Sequence, residues 1–146
     1  MIRGTSTRSL ALDIGDRRIG VALSDTLGII ATPFKIITRL DEEQDIAAIL
    51  DVVEENQVGV IVAGLPLGID GEMTNQAEKV KAFTDKIVRK SKIPIEFRDE
   101  SSTTSEARRI MLSSRSRKNR RASHDDDVAA AVLLQAYLEE KRATHG

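Results

Sequence analysis

The sequence predicts an α/β domain on a mixed sheet, and three observations predict it. Residues 10–14 and 18–24 each alternate between two faces, and only Gly15-Asp16-Arg17 separates them, which favours an antiparallel hairpin. Residues 58–63 form an unbroken apolar run ending at Gly64, the pattern of a strand buried on both faces in parallel pairing. Stretches of helical periodicity lie before and after that run, so strand and helix alternate as they do in crossover units.

The elements follow in order. In the first strand Leu10, Leu12 and Ile14 share one face while Ala11 and Asp13 share the other. In the second, Ile19, Val21 and Leu23 oppose Gly20, Ala22 and Ser24. Residues 29–37 predict a third strand, with Pro33 marking an edge position or a bulge. Asp41 with Gln44 three residues on is a helix start. Ile46, Ile49, Leu50 and Val53 then follow the spacing of an amphipathic helix. After the buried strand and the 64–71 loop, Thr74 caps a helix whose face is Ala77, Val80, Phe83 and Ile87. Residues 93–97 complete a set of five strands. Thr103 with Glu106 forms a capping box for a helix carrying Ala107, Ile110 and Met111. Residues 113–123 have no apolar periodicity and read as a mobile basic loop. A last helix, about 126–140, is apolar most of the way round and is expected to be largely buried. No repeat or linker divides the chain, so residues 1–146 are expected to form a single domain.

Composition narrows the chemistry. The chain has no cysteine and two histidines, which excludes thiol catalysis, Cys-ligated zinc and a His-rich metal centre. Any metal would be held by oxygen, which suits Mg²⁺ or Mn²⁺. One tyrosine, three phenylalanines and no tryptophan disfavour single-strand binding mainly by base stacking. The net charge of −1 carries no signature of a nucleic-acid partner. The distribution does, because Arg115, Arg117, Lys118, Arg120 and Arg121 crowd into one loop. The N-terminus does not read as a signal peptide, and the apolar run at 129–134 is far short of the ~20 residues of a membrane helix. A cytoplasmic protein with no membrane partner is expected.

Asp13 ends an apolar strand, Glu100 follows the fifth strand, and Asp126 opens the last helix. Sites in open α/β sheets form at the carboxyl ends of strands. Each acid taken singly has a structural explanation: an Asx turn for Asp13, a solvated loop for Glu100, an N-cap for one of Asp125 to Asp127. Together they suggest three carboxylates that would repel one another unless divalent cations neutralised them. Two such ions about 4 Å apart can activate a water and stabilise a leaving oxygen of a phosphodiester. The basic loop beside them could hold a polyanionic backbone.

These residues resemble the YqgF/RuvX family, Holliday-junction-resolvase-like pre-16S rRNA nucleases with an RNase H-like fold. Asp13, Gly15, Arg18 and Gly20 match the family's Asp-x-Gly-x-x-Arg-x-Gly motif, and Gly64, Leu65 and Pro66 match its Gly-Leu-Pro motif. Asp99, Glu100, Thr103 and Thr104 match Asp-Glu-Arg-x-Thr-Thr. Asp126, Ala129, Ala130, Leu134 and Gln135 match the final helix motif. Ser101-Ser102 departs from the family's Arg-Leu, which removes a basic group beside the second acid. The resemblance implies a five-stranded mixed sheet flanked by helices and a metal-dependent nuclease, with 5′-end processing of pre-16S rRNA as the family's work. It implies that Asp13, Glu100 and Asp126 carry Mg²⁺ or Mn²⁺. Asp127 is the alternative third ligand, and Asp126 is favoured by its spacing from Ala129-Ala130. Arg18 and the loop residues Arg115, Arg117, Lys118, Arg120 and Arg121 would contact nucleic acid. The partner implied is pre-rRNA, with branched DNA or a ribosomal precursor particle as further possibilities. Two rivals stand beside this reading. An Asp-x-Gly hairpin also resembles the phosphate loop of actin-like sugar kinases, which need two such domains. A non-catalytic nucleic-acid-binding factor in ribosome assembly or transcription would bind RNA without cutting it.

Overall fold

A computed structural model describes residues 7–100 and 126–145. Strands β1 (Arg8–Ile14), β2 (Arg18–Ser24) and β3 (Ala31–Thr38) are followed by helix α1 (Glu42–Glu55) and strand β4 (Val58–Leu65). Helix α2 (Asn75–Ser91), strand β5 (Ile95–Asp99) and helix α3 (Asp126–His145) complete the described elements. The sheet order is β3-β2-β1-β4-β5. The first three strands are antiparallel neighbours, whereas β4 and β5 run parallel to β1. This is the five-stranded mixed sheet expected from the hairpin and the buried run. The expected helix after Thr103 and the basic loop lie outside the described residues.

The two faces of the sheet differ in side-chain size. Leu10, Leu12, Ile19, Val21 and Ile61 pack with Ile49 of α1 and Val80, Phe83 and Ile87 of α2. On the opposite face Ala11, Ala22 and Val62 meet Ala130, Ala131, Leu134 and Tyr137 of α3. Small side chains on that face let α3 lie close to the sheet. Full burial of Leu134 there is worth about 1.5–3 kcal/mol.

Local chemistry sets the ends of the elements. The Asp41 carboxylate accepts from Gln44 N at 2.8 Å and Thr74 Oγ1 accepts from Ala77 N at 3.0 Å, so both expected helix caps are present. Pro33 lies on the edge strand, and the pairing shifts register between Val21–Lys35 and Ala22–Pro33, leaving Phe34 in a bulge. The strand starts at Ala31 rather than at residue 29 because Asp25 Oδ1 takes the amides of Ile29 and Ile30 into a turn. Strand β5 starts after Pro94 and continues to Asp99, which delivers Glu100 to the strand's carboxyl end. Helix α3 runs to His145 instead of about 140, and Arg142 on its last turns donates to the carbonyls of Gly28 and Ile29.

Tyr137 crosses from α3 to β5, where its hydroxyl donates to Glu96 Oε2 at 3.1 Å. Burial, reinforced by the Glu96 hydrogen bond and charge, pushes the Tyr137 phenol up to about 12. A raised phenol favours folding below its unfolded value near 10, and that contribution is lost as pH rises through 12. Tyr137 is the chain's single tyrosine, so phenolate absorbance reports on it alone. The wild-type protein is expected to titrate near 12. Glu96→Gln is expected to titrate lower but still above the free value, because burial is the larger cause. A wild-type midpoint at the free value would contradict the α3–β5 contact.

Candidate active site

Asp13 follows Leu12, which belongs to the core beneath α1 and α2, so alternation turns its side chain toward α3. Its cross-strand partner on β2 is Gly20. On its other side Leu12 pairs with Ala63, which brings Gly64 beside it. Asp13 therefore stands between two strands that each carry no side chain at its level.

Both vacancies are filled, each by another of the expected acids. A Cβ at Gly20 would lie 1.9 Å from the carbonyl oxygen of Asp126 and 2.8 Å from the amide nitrogen of Asp127. The first turn of α3 thus rests directly on β2, opposite Asp13. A Cβ at Gly64 would lie 2.9 Å from Glu100 Oε1. Facing residues of adjacent strands are about 4.5–5.5 Å apart, so Asp126 and Glu100 approach Asp13 from its two sides. All three acids are half-buried.

The carboxylates are not drawn into one ligating array. Among the described residues no group of three His, Cys, Asp or Glu side chains stands ready to hold a metal ion. Asp126 is instead turned onto Arg18, whose Nε donates to Asp126 Oδ2 at 2.9 Å. Asp127, the alternative third ligand, is also half-buried, and its Oδ1 is buried. Acids in the first turn of α3 are in addition favourable toward the helix dipole. As to fit, the donors that flank Asp13 are all carboxylate oxygens, the chemistry of a Mg²⁺ or Mn²⁺ site.

Two neighbours of the candidate site carry no signal in the motifs. Arg98 pairs with Gly64 across β4–β5 and shares a face with Glu100 by alternation. Its guanidinium is engaged by Glu140 of α3. Arg39 holds the site's loop from behind. Its Nη1 donates to the Gly15 carbonyl at 2.9 Å, its backbone amide to the Arg17 carbonyl at 2.9 Å, and its Nε to Asp45 Oδ2 at 3.0 Å. Its guanidinium lies 4.7 Å from the Phe83 ring centre. The sequence signal was Asp45 itself, a charge on the apolar stripe with Ile49 and Val52 that is only 2% exposed. Arg115, Arg117, Lys118, Arg120 and Arg121 lie outside the described residues.

The strand order, with a helix over the acid-bearing face, defines an RNase H-like domain. Thermus thermophilus RuvC in complex with a Holliday junction substrate has the same fold, with a TM-score of 0.65, 94% of this chain and 97% of that chain covered, and 10% identity. The chain belongs to the RuvX family of nucleases, because the family model described as "RuvX: Holliday junction resolvase" matches residues 7–140. A Koribacter versatilis protein is 37% identical over 134 residues, 92% of this chain and 88% of that protein. A Desulforudis audaxviator protein is 41% identical over 97 residues, 66% of this chain and 69% of that protein. Both bear the name "Putative pre-16S rRNA nuclease".

The two glycines give a graded test. Gly20→Ala drives a Cβ into the α3 backbone, whereas Gly64→Ala meets only the movable end of Glu100. Overpacking against a fixed backbone costs about 1–3 kcal/mol, so thermal or urea unfolding should show that loss in Gly20→Ala and a smaller one in Gly64→Ala. Equal losses would contradict the seating of α3 on β2.

Proposed function

We propose that this chain is a divalent-metal-dependent nuclease that hydrolyses phosphodiester bonds in 5′-end processing of pre-16S rRNA. The observation that carries the reading is the glycine on either side of Asp13, one under Asp126 and the other against Glu100. Membership in the RuvX family and the names of its relatives support the RNA substrate. Asp13, Glu100 and Asp126 would hold Mg²⁺ or Mn²⁺, which supplies an activated water and neutralises charge on the leaving oxygen. Asp13 is the fixed member, on a strand paired on both sides. Glu100 and Asp126 come from segments that follow β5 and open α3, so their side chains can adjust. Arg18 at the start of β2 and the cations Arg115, Arg117, Lys118, Arg120 and Arg121 hold backbone phosphates. Such contacts position the substrate without reading its sequence. Arg39 keeps the Gly15 loop, and with it Asp13, in register.

The family description favours one second reading, a resolvase acting on four-way DNA junctions. The two are separated by one assay. End-labelled pre-16S leader RNA and a four-way DNA junction are incubated with Mg²⁺ or Mn²⁺ and either wild-type protein or Asp13→Asn. Wild type is expected to cut the RNA. Asp13→Asn is expected to lose more than the about 10–100-fold that loss of an outer-shell metal partner costs. Preferred cutting of the junction would replace the RNA reading with the resolvase. Binding of RNA without cutting, unaffected by Asp13→Asn, would replace both with a non-catalytic assembly factor.

A further inference from the structure

Arg18 does more than its place in the motif requires. Its Nε holds Asp126 Oδ2 at 2.9 Å, in a pair whose side chains are 36% and 29% exposed. Among the described residues this is the one ion pair of Asp126. Arg98, another cation on this face, is engaged by Glu140. The Asp126 backbone is pinned against Gly20, so its carboxylate can change partner only by side-chain rotation. Both ends of the pair reach solvent, so an exchange need not open the core.

We propose that Arg18 is a stand-in cation: it neutralises Asp126 while no divalent ion is bound, and yields that carboxylate when one binds. The guanidinium released at the start of β2 then faces the phosphate backbone of the substrate. The proposal rests on the nuclease reading and adds an order to it, because phosphate capture by Arg18 follows loading of the site. The magnitudes permit the exchange. A part-exposed ion pair is worth about 0.2–1 kcal/mol, which a divalent ion shared among several carboxylates can exceed. Coupling of this kind is reciprocal, so whatever Arg18 contributes to the empty protein it withholds from metal affinity.

The test is calorimetric titration of the full chain with Mn²⁺ alone, without nucleic acid, for wild type, Arg18→Gln, Arg18→Lys and Asp13→Asn. Arg18→Gln is expected to bind Mn²⁺ more tightly by about 1.4- to 5-fold, the fold-change equivalent of the pair's energy. Arg18→Lys, which keeps the charge, is expected to stay near wild type, and Asp13→Asn to bind more weakly. Thermal unfolding gives a second readout. Arg18→Gln should melt below wild type in chelator, and the gap should narrow in saturating Mn²⁺. Arg18 as a merely structural residue would leave the gap unchanged. Equal or weaker Mn²⁺ binding by Arg18→Gln, with wild type binding normally, would overturn the exchange and leave the nuclease reading standing. Failure of every variant to bind Mn²⁺ would overturn the metal site and the exchange together.

Discussion

The close approach of α3 to the sheet is the constraint on which the site depends. One face of β1, β2 and β4 is built from large aliphatic side chains, the other from alanine, glycine and valine. The small face lets α3 descend until the Asp126 carbonyl occupies the space where Gly20 has no Cβ. Asp13 is the carboxylate that β1, β2 and β4 carry on that face, and it lies where the helix begins rather than under its middle. Its environment is therefore half-open, which limits the desolvation of an ionised carboxylate. A larger residue at position 20 would push the helix away and take Asp126 with it.

Two kinds of support meet at Asp13. Behind it, Arg39 binds the Gly15 and Arg17 carbonyls while Asp45 and Phe83 fix the guanidinium. That network is largely buried and holds the loop after β1 to the α1–α2 side of the domain. In front, Asp126 and Glu100 are positioned by backbone seating and by a movable side chain, respectively. A rigid central acid with adjustable partners suits the proposed site, which would accept a cation and a phosphate in turn. The sheet gives precision, and the segments following β5 and opening α3 give adaptability.

Much of this was legible in the sequence because its physics is local. Alternation in the first two strands, the apolar run before Gly64, and the Asp41 and Thr74 caps are short-range signals, and each element appears where they place it. Pro33 signalled both an edge and a bulge, and both are present because a missing amide is harmless at an edge. The β3 boundary was not legible, since it depends on a carboxylate four and five residues away capturing two amides. Of the candidate site, the three acids were legible from their places at the ends of elements, and Arg18 from its motif. The Arg18–Asp126 pair spans 108 residues, and no spacing rule anticipates it. Arg98 was missed because a charge in a short strand looks solvated until the strand is set beside Gly64.

The central claim is that Asp13, Glu100 and Asp126 share a divalent cation. Anomalous diffraction from crystals of the full chain soaked in Mn²⁺ tests it most directly. The expected result is a manganese peak bounded by the carboxylates of Asp13, Glu100 and Asp126, with Arg18 no longer paired to Asp126. A manganese peak elsewhere on the surface, or none at the acids with the Arg18–Asp126 pair intact, would contradict the account.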